Sequence, residues 1–192
     1  MTPPSEARPP SLDIERAVRL IDAGGVVAYP TEAVFGLGCD PSARAAIERV
    51  VALKGRSADK GLILVASDAR QLAPWLAPLE PAWRSRMDAA WPGPVTFVVP
   101  TAPDTDALLR GGRPTIAVRV SAHPVVRALC ERAGHPLVST SANRSGEPAL
   151  RDADAVARTF GEALDGIVSG ELGTLRRPTR IVDVRTGRAL RP

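Results

Sequence analysis

Apolar residues follow two patterns along this chain of 192 residues. Some form short continuous runs bounded by turn residues, which indicates buried strands, and others recur every three or four positions, which indicates helices with one buried face. Strands and helices alternate throughout, so the pattern predicts an α/β fold (α+β in some schemes) layered around one sheet. The predicted strands lie at residues 25–29, 62–65, 95–99, 115–120, 136–140, 166–168, 179–184 and 188–190, and the predicted helices at residues 11–24, 41–53, 71–76, 81–90, 123–132 and 153–160.

Local signals mark the ends of several elements. Ser11 is the predicted N-cap of the first helix, and Asp68 is the predicted cap of the helix that follows the second strand. The last two predicted strands form a hairpin through residues 185–187, so the sheet is expected to be mixed. Residues 101–114 are polar and contain a Gly-Gly pair, which predicts a mobile loop. Residues 31–38 are apolar and rich in glycine, as expected of a loop whose backbone approaches a ligand.

Length and composition predict one domain over residues 11–192, preceded by a flexible arm over residues 1–10. The arm is polar and lacks the apolar core of a signal peptide, and no apolar run is long enough to span a membrane. A cytoplasmic protein without a membrane segment is therefore predicted. A net charge of +4 and a pI near 9.8 favour an anionic partner, whereas an aromatic content of 4% argues against a surface that stacks bases.

The cysteines and histidines give no sign of a metal site. Cys39 and Cys130 have no neighbouring cysteine and no metal-ligand spacing, so both are predicted to be small buried residues. His123 and His135 each precede a proline, which predicts a turn or the start of a helix. No metal held by protein side chains is expected.

Only two of the 25 basic residues are lysines, Lys54 and Lys60, and both lie in one predicted helix-to-strand connection. Loops held by rigid elements often carry function, and a lysine places a compact charge on a small anion. Lys54 together with the forked guanidinium of Arg56 suits a polyphosphate. A solvated charge run at the end of a helix is the alternative.

Two further clusters are candidates for substrate binding. Residues 139–143 (STSAN) offer hydroxyl, amide and backbone donors that suit an oxyanion, although the same composition is typical of an elaborate turn. Arg119 stands in an apolar strand, where a charge needs a partner, either an internal acid or a substrate carboxylate. Glu32 and Asp59 are the nearest candidate bases, and each is expected to be a structural or solvated carboxylate.

Familiar nucleotide and hydrolase motifs are missing from the sequence. There is no GxxxxGK[ST] loop, and Gly36-Leu37-Gly38 lacks the third glycine of a dinucleotide-binding fingerprint. There is also no HExxH zinc motif and no nucleophile elbow. Any nucleotide must therefore be bound by a different arrangement.

Five segments, in this order, resemble the YrdC-type threonylcarbamoyl-AMP synthase family, most of all its short, single-domain bacterial form. The resemblance runs from about Ser11 to the end of the sequence, and five motifs in the same order with plausible spacing make it specific. The segments are residues 29–38 (YPTEAVFGLG), 54–56 (KGR) with 59–64 (DKGLIL), 91–96 (WPGPVT), 117–120 (AVRV) and 139–143 (STSAN).

The resemblance implies a YrdC-like single domain, a twisted mixed β-sheet flanked by helices with a concave basic face. It implies that ATP, L-threonine and bicarbonate give threonylcarbamoyl-AMP and pyrophosphate. That product would supply tRNA threonylcarbamoyl-transferase proteins, which modify tRNA next to the anticodon, and tRNA would be at most a weakly bound partner. The implied site consists of Lys54, Arg56, Ser141 and Asn143 as catalytic residues on the ATP phosphates with Mg²⁺, Arg191 near the nucleotide, and Thr31, Arg119, Ser139 and Thr179 around threonine.

One residue departs from the family pattern, because Thr179 stands where many relatives have serine. Two other functions compete with the synthase. The first is an RNA- or ribosome-binding module that uses the basic face, whose affinity would fall steeply with added salt. The second is a carbamoyl-adenylating domain of the kind found in hydrogenase-maturation proteins, which preference for threonine over carbamoyl phosphate would exclude.

Overall fold

The computed structural model describes residues 8–191, which form a ten-stranded sheet with helices on both faces. The strand order is β1-β8-β2-β3-β7-β4-β6-β5-β9-β10. The strands are β1 (Ser11–Leu12), β2 (Val27–Pro30), β3 (Phe35–Gly38), β4 (Ile63–Ala66), β5 (Val95–Pro100), β6 (Thr115–Val120), β7 (Leu137–Ser141), β8 (Gly166–Val168), β9 (Arg180–Asp183) and β10 (Ala189–Arg191).

Seven α-helices connect these strands in the described part of the chain. They are α1 (Ile14–Asp22), α2 (Arg44–Lys54), α3 (Ala69–Leu72), α4 (Pro81–Asp88), α5 (Ala107–Arg110), α6 (Pro124–Ala133) and α7 (Ala153–Phe160), and short 3₁₀ turns lie at Ala58–Lys60, Ala73–Trp75 and Gly161–Ala163.

The sheet is mixed, as the sequence predicts. Strand β8 pairs in parallel with β1 and β2, β4 with β6, and β5 with β9, and the remaining pairs are antiparallel. The hairpin of β9 and β10 forms around residues 185–187, where the Asp183 carboxylate accepts hydrogen bonds from the backbone N–H groups of Arg185 and Thr186. The predicted mixed α/β fold is therefore confirmed.

Alternation along the strands gives the sheet two different faces. One face carries the main apolar core, where strand residues such as Leu64 and Val118 pack with buried residues of α2, α3, α4, α5 and α7. On the other face a second core under α1 and α6 includes Tyr29 and Val65. These two helices cover only part of that face, and the remainder, over β4, β5, β6, β7 and β9, lines an open cavity.

Several local predictions fail, each for a tertiary reason. Asp13 rather than Ser11 caps α1, because Ser11 is drawn into β1, which pairs with β8. The second half of residues 31–38 is strand β3 and not loop, since it pairs with both β2 and β7. The predicted loop at 101–114 contains α5, whose Leu109 is fully buried.

Other local predictions are confirmed. Asp68 caps α3 by accepting a hydrogen bond from the N–H of Arg70, and His123 is the residue before α6. Cys39 and Cys130 are buried, free thiols. Most of the predicted N-terminal arm lies outside the described residues; within it, Pro9 is buried and the carbonyl of Pro10 accepts a hydrogen bond from Ile167.

Candidate active site

A cavity of about 410 Å³ opens on the part of the sheet that α1 and α6 leave uncovered. The alternation of strand side chains explains its lining. In β6, Ile116, Val118 and Val120 enter the main core, so the intervening Ala117 and Arg119 face the cavity. The same reasoning holds in β7, where Val138 enters the main core and Ser139, the next residue, and Ser141, two positions further on, face the cavity.

The cavity is strongly positive. Six of its lining side chains are cationic, and within residues 8–191 none of its lining side chains is a carboxylate. Such a lining raises the local concentration of anions and favours a polyanionic ligand. The six cations are Arg56, Lys60, Arg110, Arg113, Arg119 and Arg191.

The side chain of Lys54 is buried beside this cavity. It is the last residue of α2, so the expectation that it lies in a connection is wrong, and it is only 4% exposed. Its Nζ donates hydrogen bonds to the carbonyl oxygens of Ser141 (2.5 Å) and Asn143 (3.0 Å) and to Oδ1 of Asn143 (3.1 Å). Burial and the positive charge of Arg56 lower the pKa of Lys54 to about 8.

The loop after β7 is fixed by this contact and by its own hydrogen bonds. The Ser141 hydroxyl donates to Oδ1 of Asn143 at 2.6 Å, and the amide nitrogen of Asn143 donates to the carbonyls of Arg144 and Glu147. Ser141 lines the cavity, whereas Lys54 and Asn143 stand behind it. The predicted Lys-Ser-Asn cluster is thus brought together, with Ser141 as the member that lines the cavity.

Arg56 follows the left-handed Gly55 that ends α2, where φ is 56°. Because glycine adopts this conformation without strain, the chain can turn at once and bring Arg56 to the cavity. Its Nε is buried and has no hydrogen-bond partner among the described residues. Burial lowers the pKa of this guanidinium.

Arg119 is held on two sides. Its Nη1 donates to the hydroxyl of Thr179 at 2.9 Å, and its Nη2 lies 3.3 Å from Oε2 of Glu32. The other oxygen of Glu32 accepts a 2.6 Å hydrogen bond from Ser121. Glu32 is therefore a structural carboxylate, in agreement with the sequence-based expectation, while the Nε of Arg119 has no partner among the described residues.

Thr179 joins two of the cavity arginines. Its hydroxyl accepts from Arg119, and its backbone carbonyl accepts from Nε and Nη2 of Arg191 at 3.2 and 2.7 Å. Partial burial and the nearby charge of Arg119 lower the pKa of Arg191. Thr31 lines the same cavity, and its hydroxyl donates to the carbonyl of Val34, which closes a tight turn between β2 and β3.

Sequence reasoning assigned no role to Lys60, Arg110 and Arg113, which also line the cavity. The two arginines lie in and after α5, in the segment that was expected to be a mobile loop. Gly111 is the signal that could have placed them, because it has φ of +61° and a Cβ there would lie 2.3 Å from the carbonyl oxygen of Asp59. That close approach packs α5 against the loop that contains Asp59 and Lys60.

Comparisons with known proteins place the chain in a family. The sequence model of the Sua5/YciO/YrdC family, described as "Telomere recombination", matches residues 19–192. A curated protein of Nitrosococcus oceani named threonylcarbamoyl-AMP synthase is 52% identical over 182 residues, which cover 95% of this chain and 98% of that protein.

Solved structures give the same answer. P. abyssi Sua5 in complex with L-threonine matches with a TM-score of 0.85 and 29% identity, over 95% of this chain and 55% of that chain. E. coli YciO matches with a TM-score of 0.81 and 27% identity, over 95% of this chain and 92% of that chain.

This chain therefore spans about half the length of Sua5 and nearly the full length of the Nitrosococcus relative. The resemblance inferred from five sequence segments is confirmed. Since the family match extends over most of the sequence, the chain belongs to the Sua5/YciO/YrdC family.

Proposed function

We propose that this chain is a threonylcarbamoyl-AMP synthase, a nucleotidyltransferase that forms L-threonylcarbamoyladenylate and pyrophosphate from ATP, L-threonine and bicarbonate. The name of the Nitrosococcus relative and the threonine bound to P. abyssi Sua5 support this assignment. The observation that carries it is the cavity itself, in which a buried arginine set among hydroxyls shares one space with five further cations.

Threonine is assigned to the Arg119 side of the cavity. A carboxylate would accept from the N–H groups of Arg119 that the protein leaves free, and charge-assisted bonds of this kind are short and directional. Thr31, Ser139 and Thr179 line the same cavity and supply hydroxyl groups for the amino acid. Arg119 is the residue that fixes the carboxylate of the amino acid, because its guanidinium is already oriented by Glu32 and Thr179.

The ATP phosphates are assigned to Arg56 and Ser141, with Arg191 near the nucleotide. Lys54 and Asn143 act with them by fixing the loop that presents Ser141, and the ammonium of Lys54 adds a positive charge close behind it. Buried or half-buried cations act more strongly on phosphate than exposed ones because water screens them less.

Mg²⁺ fits this site as a companion of ATP. The cavity offers hydroxyl oxygens but no carboxylate from the described residues, and residues 8–191 contain no cluster of three acidic, histidine or cysteine ligands. A hard cation that keeps its water and binds substrate phosphates suits such a lining. Ser141 and Ser139 line the cavity and are the candidates for contact with its hydration shell, and the ion would neutralise phosphate charge.

The chemistry requires positioning more than acid–base catalysis. An oxygen of the carbamate group of N-carboxythreonine forms a bond to the α-phosphorus of ATP. The bond between that phosphorus and the oxygen bridging to the β-phosphorus breaks, so that pyrophosphate leaves with the electron pair. Prealigned reactants and fixed cations lower this barrier by proximity and by stabilising the developing charge.

We further propose a cytoplasmic enzyme that hands its product to tRNA threonylcarbamoyl-transferase proteins. No helix within residues 8–191 is long and apolar enough to cross a membrane. Six arginines between residues 176 and 191 are exposed, and the positive surface that they form favours weak binding of tRNA as a second activity. Steep loss of RNA affinity with added salt would support that second activity.

Pyrophosphate release tests the proposed function. Release from ATP that requires both L-threonine and bicarbonate supports the synthase, with L-serine as the control amino acid. Release without threonine, or none from a folded protein, contradicts it.

A further inference from the structure

The reaction needs threonine as a free amine, yet the cavity contains no candidate base among the described residues. The carboxylate of Glu32 is buried, and its Oε2 is sealed from solvent next to Arg119. Asp59 is exposed and does not line the cavity. The phenol of Tyr29 is fully buried and donates to the carbonyl of Val138, and burial raises its pKa.

His123 is also unsuited to this role. Its imidazole is 5% exposed, its Nε2 faces the carbonyl oxygen of Glu171 at 3.1 Å, and it does not line the cavity. Burial lowers its pKa, so it is a poor proton acceptor. Lys54 is engaged by the loop after β7.

The charges that do face the cavity are all of one sign. Of the six cations, only Arg119 forms an ion pair with another described residue, Glu32. The carboxylate of Asp59, outside the cavity, lies near enough to Arg56, Lys60 and Arg113 to offset part of their charge. When Glu32, Asp59 and the carboxylate of threonine are all counted, an excess of three positive charges remains, namely six cations less three carboxylates.

We propose that this cationic lining deprotonates the amino group of bound threonine by its electrostatic field, so that no general base is needed. A positive environment disfavours an ammonium ion and therefore lowers its pKa. Lys60, Arg110 and Arg113, for which the phosphate and carboxylate assignments leave no role, contribute to this field. This inference rests on the proposed function and concerns its first chemical step.

The step balances as follows in atoms and electrons. The threonine ammonium releases one proton to solvent, and the nitrogen lone pair then forms a bond to the carbon of bicarbonate. The nitrogen loses a second proton, hydroxide leaves the carbon, and the two combine as water. The product is the threonine carbamate, whose oxygen later attacks ATP.

The direct test is a pH titration of L-[¹⁵N]threonine bound to the full-length protein, followed by the ¹⁵N chemical shift, without ATP or bicarbonate. We expect the amine pKa of bound threonine to lie about one pH unit or more below that of free threonine in the same buffer. Added salt should move it back toward the free value, because screening weakens the field. A bound pKa equal to or above the free value overturns the proposal.

Charge variants show whether the cavity cations are responsible. Lys60→Gln combined with Arg113→Gln should raise the bound-amine pKa by about half a unit to one unit, whereas Lys60→Arg combined with Arg113→Lys should keep it low. Arg188→Gln removes an exposed charge outside the cavity and is the matched control. Equal shifts in the cavity and control variants would contradict the assignment to these residues.

The two hypotheses fail in different ways. If threonine does not bind at all, the proposed function fails. If threonine binds and supports pyrophosphate release but its amine titrates as in free solution, only the electrostatic inference fails.

Discussion

The ammonium of Lys54 lies 3.1 Å from Oδ1 and 3.0 Å from the carbonyl oxygen of Asn143. Since Lys54 ends α2 and Asn143 follows β7, one buried charge joins a helix terminus to the loop that presents Ser141. The reverse contact also exists, because the N–H of Ser145 donates to the carbonyl of Lys54 at 2.7 Å. Lys54, a catalytic candidate from the sequence, therefore also stabilises the structure of the site.

Replacing Lys54 by alanine should destabilise the protein as well as inactivate it. Several buried oxygen acceptors would lose their donor, so we expect the free energy of unfolding to fall by about 2–4 kcal/mol. Urea unfolding measures this loss. Lys60→Ala is the matched control, since Lys60 is exposed and should change stability by less than about 0.5 kcal/mol. Equal stability of the two variants would show that the Lys54 contacts contribute nothing.

The pH dependence follows from the same residue. Burial and Arg56 lower the pKa of Lys54 in the folded state to about 8, below the ordinary value of 10.5. The folded protein therefore loses this proton before the unfolded chain does. As the pH rises from about 8 to 10.5, the contribution of Lys54 to the free energy of unfolding should therefore increase.

Nucleotide binding should change in the opposite direction. As the pH rises through about 8, Lys54 loses its charge, and the affinity for ATP should fall. Titration calorimetry at a series of pH values measures this, with Lys54→Arg as the control because arginine keeps its charge. A decline of the same size in both proteins would assign the effect to another group.

The ion pair between Glu32 and Arg119 should be important for folding. Glu32→Gln leaves a buried guanidinium without its counter-charge, and we expect a loss of about 3 kcal/mol in the free energy of unfolding. Glu131→Gln breaks the exposed pair with Arg127 and should cost less than about 1 kcal/mol. If both substitutions cost the same, burial does not determine the strength of the pair.

Much of the fold could be predicted because its local signals agree with its tertiary structure. Helix α7 and strand β8 have the predicted bounds, and Arg119 lies in the predicted strand β6. Strand β3 was missed because its Gly36 and Gly38 have low strand propensity. Gly38 is required there by packing, since a Cβ on it would lie 2.6 Å from the ring of Tyr29.

The site was predictable only in part, for a similar reason. Residue types indicated Lys54, Arg56, Arg119 and the Ser-Asn loop, but sequence does not reveal which strand face the helices leave open. Arg110 and Arg113 reach the cavity because α5 packs against the loop that contains Lys60, through the close approach of Gly111 to Asp59. That contact joins segments distant in sequence.

Thr179 should affect threonine binding more than ATP binding. Thr179→Val keeps the shape of the side chain but removes the oxygen that accepts from Arg119, so we expect the KM for threonine to rise about tenfold. The backbone carbonyl that holds Arg191 remains, so the KM for ATP should change much less. Steady-state kinetics with each substrate varied in turn separates the two effects.

Two further variants control this experiment. Thr179→Ser restores the hydroxyl and should recover most of the threonine affinity. Thr174→Val makes the same chemical change at an exposed position that does not line the cavity. If Thr179→Val raised both KM values equally, its hydroxyl would not act through Arg119.

The most direct test of the central claim is the identity of the product. The protein is incubated with ATP, L-threonine and ¹³C-labelled bicarbonate, and the nucleotides are analysed at once by mass spectrometry. The synthase assignment predicts a threonylcarbamoyl adenylate that carries the label and is absent when threonine or bicarbonate is omitted. An unlabelled threonyl adenylate, or no adenylate from a folded protein that binds ATP, would contradict it.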